Sequence, residues 1–413
     1  MKGHDGRGPR VVWVVHRFTS GGIGPVCIYA ARELARRYGW RTTVVALHEP
    51  KGSGQETYRE PRMVALDLPE HDTTGFVKWL SAHPQEVVIT NDVETVAPCM
   101  QHFPKGTLHV IQVHDSGARY IAAAVRNSPF ADGIICVANY FTGKVRQAVS
   151  RNRFNGSIAT VHNGADFPLM PQRCRHAGQL RILYMGRMDP LVKGTFDLAD
   201  ILKATARMGA DFRLSIAGGT CPRLEARFTR FGLSDRVKWL GRIPHEQCYE
   251  IAAESDILMM TSRKEPFGMV TIEAMSMGCV PIAWDIESGT REIIVAGESG
   301  LLAPIGNTDS FAAAIASLNN DRELLLRMGR AASERVRTRF RSEDMAASLE
   351  QFLGGLTPWE GRSFSTGQTK LMDARTSHTS PPPRRIMGFV RDLIRRFLEE
   401  RPKAAAWALK HFI

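Results

Sequence analysis

Short apolar runs alternate with helical patterns along most of the chain. The first run, 11–15, is rich in β-branched residues, which is typical of a buried parallel strand. A glycine loop and a predicted helix at 26–38 follow it, and the next strand is predicted at 41–47. This order of strand, glycine loop, helix and strand predicts the start of a doubly wound α/β domain.

The alternation continues in two groups of strands. Further strands are predicted at 87–90, 108–113, 133–137 and 159–161, and then at 181–185, 212–217, 237–240, 257–260, 280–283 and 300–303. Helices are predicted at 143–150, 196–208, 223–231, 245–253, 310–318, 322–337 and 342–353. Because strands alternate with helices, we expect parallel sheets with right-handed crossovers.

The length of 413 residues fits two domains and an additional segment. We expect an N-terminal Rossmann-like domain at 1–166, an interdomain linker without periodicity at 167–179 and a C-terminal Rossmann-like domain at 180–340. After these we expect a closing helix at 341–353 that returns toward the N-terminal domain, a flexible linker at 354–383 and a basic tail at 384–413.

The charge balance indicates an acidic partner. Lys and Arg number 54 against 42 Asp and Glu, a net charge of +12. A phosphorylated small molecule, an anionic membrane surface and nucleic acid are the partners that this excess leaves open. The seven cysteines are dispersed without paired spacing, which favours reduced thiols in a cytosol. No apolar run reaches the ~18 residues of a membrane span, so we expect a soluble or peripheral protein.

The tail at 384–413 carries eight Lys and Arg against three Asp and Glu. Its apolar residues fall on one helical stripe: Ile386, Val390, Leu393, Ile394 and Phe397. A basic amphipathic helix is typical of a membrane-surface element, and a helix that packs on its own protein is the alternative. Both interpretations stay open.

The segment 261–281 offers the clearest candidate chemistry. Glu265 and Glu273 bracket Pro266 and Gly268, which predict a loop that turns into the start of a helix. Free N–H groups at a helix start attract an anion, and a glycine lets a ligand approach the backbone. A site for phosphate beside two carboxylates that can accept from hydroxyl groups suits a nucleotide sugar.

Two cations and two loop residues add to this candidate site. Arg187 and Lys193 follow a strand six positions apart and could clamp a diphosphate, although each alone is more often a surface charge. Gly22 lies in a loose dinucleotide fingerprint with Cys27 at its third small position, so a tight turn and a phosphate-contacting loop both remain open. His114 draws interest because it follows a strand at its carboxyl end.

Several motifs occur in a fixed order between residues 11 and 353: the glycine loop at 20–22, 161–166, 184–194, Ala217-Gly-Gly, 240–244 and 265–278. In this order they resemble the motifs of the glycosyltransferases of family 4, which are retaining enzymes with the GT-B fold of two Rossmann-like domains. Asn139, where the family more often has serine, is a small departure.

The resemblance implies a role for each candidate residue. Arg187 and Lys193 would hold the donor diphosphate, Glu265 would hold the sugar hydroxyls, and Glu273 would hold the ribose. The backbone of Phe267, Gly268 and Met269 would help to bind the donor, Ile243 would border the base, Gly22 would close on the diphosphate, and His114 would lie near the transferred sugar and the acceptor. The N-terminal domain would then be the acceptor side and the C-terminal domain the nucleotide-sugar side.

The implied function is transfer of a hexosyl group from a nucleotide sugar to a saccharide or lipid-linked saccharide. The context would be synthesis of a bacterial-type cell-surface polysaccharide, lipopolysaccharide or glycolipid, in the cytoplasm or at the inner face of the membrane. We expect no cofactor, no metal and no nucleic acid as a partner.

Two alternatives belong to other classes of protein. An NAD-dependent oxidoreductase is disfavoured by the imperfect fingerprint and by the lack of an evident ribose-binding acid at the end of the second strand. A catalytically inactive GT-B scaffold is disfavoured because Arg187, Lys193, Glu265 and Glu273 are all present.

Overall fold

The computed structural model describes residues 8–18, 22–50, 61–69, 72, 74–91, 106–150, 154–171 and 178–358. The described chain divides into two compact units. Unit 1 contains the residues up to Gly164 and those from Ser342 onward, and unit 2 contains Ala165–Arg341.

Unit 1 is built on a seven-stranded sheet in which every neighbouring pair of strands is parallel. Its strands are β1 Arg10–Val15, β2 Arg41–Ala46, β3 Arg62–Ala65, β4 Val87–Asn91, β5 Leu108–Val113, β6 Gly133–Cys136 and β7 Ser157–Thr160, in the order β3-β2-β1-β4-β5-β6-β7. Its first four helices are α1 Ile23–Tyr38, α2 Thr74–Ala82, α3 Ala118–Asn127 and α4 Asn139–Val149.

Unit 2 repeats this plan with a six-stranded parallel sheet. Its strands are β8 Leu180–Gly186, β9 Phe212–Gly218, β10 Val237–Gly241, β11 Ile257–Met260, β12 Val280–Asp285 and β13 Leu301–Pro304, in the order β10-β9-β8-β11-β12-β13. Its helices are α5 Asp197–Arg207, α6 Pro222–Arg230, α7 His245–Ala253, α8 Met269–Ser276, α9 Thr290–Ile293, α10 Thr308–Asn320 and α11 Arg322–Arg339.

The central strands are apolar because helices cover both faces of the sheets. In β1 every residue from Val11 to Val15 is buried, Trp13 included. In unit 2, Ile257 and Met259 of β11 pack into one core cluster and Leu258 and Met260 into another. The predicted α/β fold with parallel sheets is therefore confirmed.

The last described helix, α12 Ser342–Gly354, follows unit 2 in the chain but packs on α1 of unit 1. Leu349 and Leu353 are buried in it, and Glu343 pairs with Arg37 at 2.5 Å. The described parts of the expected linker at 167–179, namely 167–171 and 178–179, lie in unit 2. There the carbonyl group of Pro168 accepts a hydrogen bond from Arg337.

The structure adds elements that the sequence pattern did not predict, namely β3, α2, α3 and the four-residue α9. β3 is an edge strand in which only Ala65 is buried, so it lacks the apolar run of an inner strand. α1 begins at Ile23, three residues before the predicted start. Gly24 makes this possible, because a side-chain carbon there would lie 2.0 Å from the Phe18 carbonyl oxygen. A glycine is therefore required at position 24, where the backbone of a tight turn approaches the Phe18 carbonyl group.

Candidate active site

The candidate residues of unit 2 lie after the carboxyl ends of its strands, where parallel sheets bind ligands. Arg187 directly follows β8, Ile243 comes two residues after β10, and Glu265 lies in the loop between β11 and α8. The end of β8 and the end of β11 meet because these two strands are neighbours in the sheet.

A tight turn positions Lys193. The Asp189 carboxylate accepts hydrogen bonds from the amides of Leu191 and Val192, both at 3.0 Å. The Lys193 amide in turn donates to the Asp189 carbonyl group at 2.9 Å. Such bonding of an aspartate to the amides that follow it is a common device of short turns. The turn is thereby fixed at the end of β8.

Gly194 brings this turn against the loop after β11. Its φ of +60° lies in the left-handed region, and a side-chain carbon would lie 2.2 Å from the Thr261 carbonyl oxygen. The Thr261 hydroxyl donates to the Lys193 carbonyl group at 2.9 Å, and the Arg263 amide donates to that of Val192 at 2.9 Å. Only glycine permits this close contact between the two loops.

The contact joins the cation and the acid that the sequence analysis assigned to different parts of a donor. Lys193 Nζ lies 2.6 Å from Glu265 Oε2, and the Ser262 hydroxyl donates to the same oxygen at 3.0 Å. The two side chains are 20% and 11% exposed. A diphosphate subsite and a sugar subsite built on these residues would therefore be adjacent.

Arg263 stabilises this loop and was missed by the sequence analysis. Its guanidinium pairs with Asp197 at 2.8 Å and donates to the Pro190 carbonyl group at 3.1 Å. Trp284 Nε1 donates to the other Asp197 oxygen at 3.1 Å. Burial raises the pKa of Asp197 although Arg263 acts against it. The only signal in the sequence is an arginine two positions before Glu265, which does not identify its partner.

The start of α8 has the form of an anion site. Gly268 precedes the helix with a φ of +112° and offers no side-chain cap. The amides of Thr271 and Ile272 donate back to the Gly268 carbonyl group at 2.9 and 3.3 Å, which leaves the first two amides of the helix without an intrahelical acceptor. The predicted loop and helix start are confirmed at this position.

Two threonine hydroxyls flank Gly268. A side-chain carbon on Gly268 would lie 3.1 Å from both Thr271 Oγ1 and Thr290 Oγ1. Both threonines are buried, and neither hydroxyl has a hydrogen-bond partner in the part of the chain that the structure describes. Thr290 begins α9 and was missed by the sequence analysis, because it lies more than twenty positions beyond the glycine that it contacts.

The second acid, Glu273, lies one turn into α8 and is buried. Its Oε1 lies 2.8 Å from Nε2 of His245, the first residue of α7. The hydrogen bond with this carboxylate raises the pKa of His245. Ile243 lies two residues before His245 and packs against the core of unit 2. The histidine was not singled out from the sequence.

The remaining candidates of unit 2 are placed as follows. Arg187 is exposed, and its carbonyl group accepts from the Tyr184 hydroxyl at 3.0 Å. Burial, with a contribution from Glu265, raises the pKa of Tyr184. Phe267 is buried edge-on against Phe340, with ring centroids 5.7 Å apart, and Met269 is the first residue of α8.

In unit 1, His114 belongs to a buried polar cluster. Its Nε2 lies 2.8 Å from Asn91 Oδ1, which also accepts from Cys27 Sγ at 3.4 Å, while Asn91 Nδ2 donates to the Val14 carbonyl group at 3.1 Å. Because Oδ1 can only accept, Nε2 of His114 carries the proton. Burial lowers the pKa of His114 to about 3, so the imidazole is neutral. Gly22 is the N-cap residue of α1.

Within the described ranges, no group of three or more His, Cys, Asp or Glu side chains is arranged to hold a metal ion. No helix in the same ranges is long and apolar enough to cross a membrane. The predicted flexible linker at 354–383 begins at the last residue of α12, Gly354, and its part beyond residue 358 lies outside the described residues, as does the predicted basic tail at 384–413.

Comparison with known proteins finds relatives of unit 2 among the glycosyltransferases. Residues 170–335, which include all the candidate residues of unit 2, match the family model for glycosyl transferases group 1. The chain is 37% identical over 118 residues to N-acetyl-alpha-D-glucosaminyl L-malate synthase of Bacillus anthracis, covering 29% of this chain and 30% of that protein. It is 30% identical to phosphatidyl-myo-inositol mannosyltransferase of Mycobacterium tuberculosis, covering 42% and 49%. The matches thus span less than half of the length of these curated relatives.

Solved structures agree over a larger part of the chain. Sucrose-phosphate synthase of Thermosynechococcus elongatus superposes with a TM-score of 0.72 at 20% identity, covering 84% of this chain and 98% of that one. Anabaena HepE, solved in complex with UDP and glucose, gives 0.70 at 18% identity, covering 84% and 100%. The expected GT-B fold is confirmed, and the matches together support the glycosyltransferase class.

Proposed function

We propose that the protein is a retaining glycosyltransferase of family 4 that moves a hexosyl group from a nucleotide-diphosphate donor to an acceptor hydroxyl. The observation that carries this proposal is the contact between Lys193 and Glu265 in the loop that leads into α8. The turn after β8 supplies a cation for phosphate. The neighbouring loop between β11 and α8 supplies an acid for sugar hydroxyls and a helix start that can bind an anion.

The diphosphate side of the donor is assigned to Arg187, Lys193 and the amides that open α8. When the glycosidic bond breaks, positive charge develops on the sugar and negative charge on the departing diphosphate. Fixed cations and helix-start N–H groups stabilise the negative charge, and removing one such pre-organised group from an active site typically costs about 2.7–4 kcal/mol of transition-state stabilisation. The acceptor hydroxyl attacks the anomeric carbon on the face that the diphosphate leaves, so the new glycosidic bond retains the anomeric configuration, and the hydroxyl proton passes to the departing diphosphate.

The remaining parts of the donor are assigned to the two acids and the α8 loop. Glu265 accepts hydrogen bonds from sugar hydroxyls, and the backbone of Phe267, Gly268 and Met269 assists it. Glu273 accepts from the ribose hydroxyls, and the backbone around Ile243 borders the base. Because Glu265 already contacts Lys193, the sugar would be held directly beside the phosphate that it leaves.

On the acceptor side we assign roles to His114 and Gly22. His114 is neutral and has its Nε2 proton on Asn91, so it contributes hydrogen bonding rather than charge. Gly22, at the start of α1, is assigned to diphosphate binding. No metal, organic cofactor or nucleic acid enters the proposed reaction.

The relatives guide the choice of partners. HepE was solved with UDP and glucose, and one relative bears the name of a phosphatidyl-myo-inositol mannosyltransferase. We therefore propose a nucleotide sugar as donor and a saccharide or lipid-linked saccharide as acceptor, in the synthesis of a cell-surface polysaccharide, lipopolysaccharide or glycolipid. The reaction would take place in the cytoplasm or at the inner face of the membrane, with 384–413 binding anionic lipid.

Donor hydrolysis in the absence of an acceptor tests the proposal. A panel of UDP-, GDP- and ADP-sugars is incubated with wild type, Lys193→Ala and Lys238→Ala, and release of the nucleoside diphosphate is measured. Lys238 is an exposed lysine of β10 and provides the matched control. We expect wild type and Lys238→Ala to hydrolyse one class of donor, with Lys193→Ala slower by about 100-fold. No hydrolysis of any donor, or equal rates in all three proteins, would contradict the proposal.

The membrane part of the proposal has its own test. Sedimentation with anionic liposomes is compared between the full chain and a chain ending at residue 383. Binding by the full chain alone supports a membrane role for the tail, and equal sedimentation of the two proteins removes it.

A further inference from the structure

His245 pairs with Glu273, and the histidine has no role in the proposed donor site so far. Nε2 of His245 lies 2.8 Å from Oε1 of Glu273, and the two side chains are 36% and 7% exposed. The acid is thus enclosed, whereas the histidine borders solvent at the start of α7. The carboxylate and the imidazole come from different helices, so their distance depends on how α7 and α8 pack.

The imidazole is itself held in place. The Tyr249 ring, one turn further along α7, packs edge-on against it with ring centroids 5.6 Å apart. The Tyr249 hydroxyl donates to the Asp166 carbonyl group at 3.1 Å, which fixes that ring. Glu246, the next residue of the same helix, adds a second negative charge near the imidazole. His245 is therefore a rigid donor to Glu273 rather than a mobile surface side chain.

The pair leaves most of the acceptor capacity of Glu273 available. A carboxylate offers about four lone-pair positions, and the imidazole takes one of them on Oε1. The Oε2 atom and the second position on Oε1 can still accept from two neighbouring hydroxyl groups. Without this partner, the Glu273 side chain would lose its rotamer freedom only on ligand binding, and this entropy cost would lower the affinity for the ligand.

We propose that His245 is a positioning residue that orients the Glu273 carboxylate to accept from both ribose hydroxyls of a nucleoside diphosphate. The ligand class is a ribonucleotide, in preference to its 2′-deoxy counterpart. This inference rests on the proposed function, because it takes the Glu273 subsite to hold the ribose. It adds a residue that makes no contact with the donor itself.

Calorimetric titration with matched nucleotides tests the inference. UDP, GDP and ADP and their 2′-deoxy counterparts are titrated into wild type, His245→Ala, His245→Gln and Gln247→Ala. Gln247 is exposed on α7 and provides the control. For the diphosphate that binds, wild type and Gln247→Ala should prefer the ribo form by about tenfold, the scale for a hydrogen bond to a charged group. His245→Ala should reduce this preference to within about threefold, and His245→Gln, which keeps an N–H donor, should restore part of it.

The ratio of the two affinities separates positioning from general destabilisation, because a purely structural defect weakens both nucleotides equally. His245→Ser, which suits a helix start but is too short to reach Glu273, replaces His245→Ala if that variant does not fold. If no diphosphate binds wild type, both the proposed function and this inference fail. If the nucleotides bind and the shortened variants keep the full ribose preference, only the role of His245 is overturned.

Discussion

Lys193 and Glu265 are 72 positions apart in the chain, yet their charged groups lie 2.6 Å from each other. Three features bring them together. Asp189 fixes the turn before Lys193, Gly194 has no side chain and lets the backbone approach the Thr261 carbonyl group, and the Arg263 amide donates a hydrogen bond to the Val192 carbonyl group. The pair lies where a cation and an acid could serve adjacent parts of one ligand.

Replacing Glu265 by Gln should separate sugar handling from nucleotide binding. Glu265 is assigned to the sugar, and its loss also frees Lys193 from a competing carboxylate. We therefore expect the affinity for the free nucleoside diphosphate to be kept or increased, while donor turnover falls by about 100-fold. Calorimetry and donor hydrolysis measure the two effects. The control is Glu298→Gln, which lies on the exposed surface of unit 2 and should change neither nucleotide affinity nor donor turnover. A loss of nucleotide affinity in Glu265→Gln would contradict the assignment of Glu265 to the sugar.

Replacing Arg263 by Leu should destabilise unit 2. The change leaves Asp197 mostly buried without its cation, and breaking such a pair typically costs about 3–5 kcal/mol. Urea denaturation measures the loss. Arg291→Leu removes an ion pair whose arginine is 59% exposed and should cost less than about 1 kcal/mol.

The same denaturation experiment provides a further check on Arg263. Adding Asp197→Asn to Arg263→Leu should recover part of the lost stability, because the uncompensated charge is then removed. Equal stability of the Arg263 and Arg291 variants would show that the buried pair does not hold the loop.

Gly268→Ala should lower the stability of the protein more than Gly297→Ala does, although both glycines have positive φ angles, +112° and +82°. Backbone strain is common to both and costs on the order of 1–3 kcal/mol. At Gly268 the new methyl group would also lie 3.1 Å from two threonine hydroxyls, whereas at Gly297 nothing lies within 4 Å. Denaturation midpoints measure the stability difference. Equal losses at the two positions would mean that the space around Gly268 is not restricted.

The stability that the His245–Glu273 pair contributes should depend on pH. The partner carboxylate raises the pKa of His245 above its unfolded value of about 6.5. The contribution is therefore fully present below that value and is lost as pH rises through the raised pKa of the folded state. Since His245 borders solvent, we expect less than about 1 kcal/mol.

The measurement is the difference in unfolding free energy between wild type and His245→Gln from pH 5.5 to pH 8.5. Subtracting the variant removes the titration of the other histidines. The difference should shrink as pH rises, and a difference that grows toward pH 8.5 would contradict the raised pKa.

Much of unit 2 could be predicted from the sequence because its signals are local. The strand at 257–260 and the helix at 245–253 are apolar or periodic runs, and the structure has them at those bounds. The start of α8 could likewise be predicted, since Pro266 and Gly268 disfavour a helical conformation just before a segment with helical propensity. Parallel strands then place the loop residues at one edge of the sheet.

The residues that support the site could not be predicted in this way. His245 and Glu273 are 28 positions apart, and Arg263 and Asp197 are 66 apart, so each pairing depends on how separate elements pack. The edge strand β3 was missed for a related reason, because it carries little of the apolar pattern that marks buried strands. Local patterns indicate which residues reach a site, whereas partners distant in sequence determine how those residues are held.

The central claim is that unit 2 binds the diphosphate of a nucleotide donor through Lys193 and its neighbours. Calorimetric titration of UDP, GDP, ADP and NAD into wild type, Lys193→Ala and Lys238→Ala tests it most directly. We predict that one nucleoside diphosphate binds wild type and Lys238→Ala equally, that Lys193→Ala binds it at least about tenfold more weakly, and that NAD does not bind. Binding of NAD alone, or equal nucleotide affinity in all three proteins, would contradict the account.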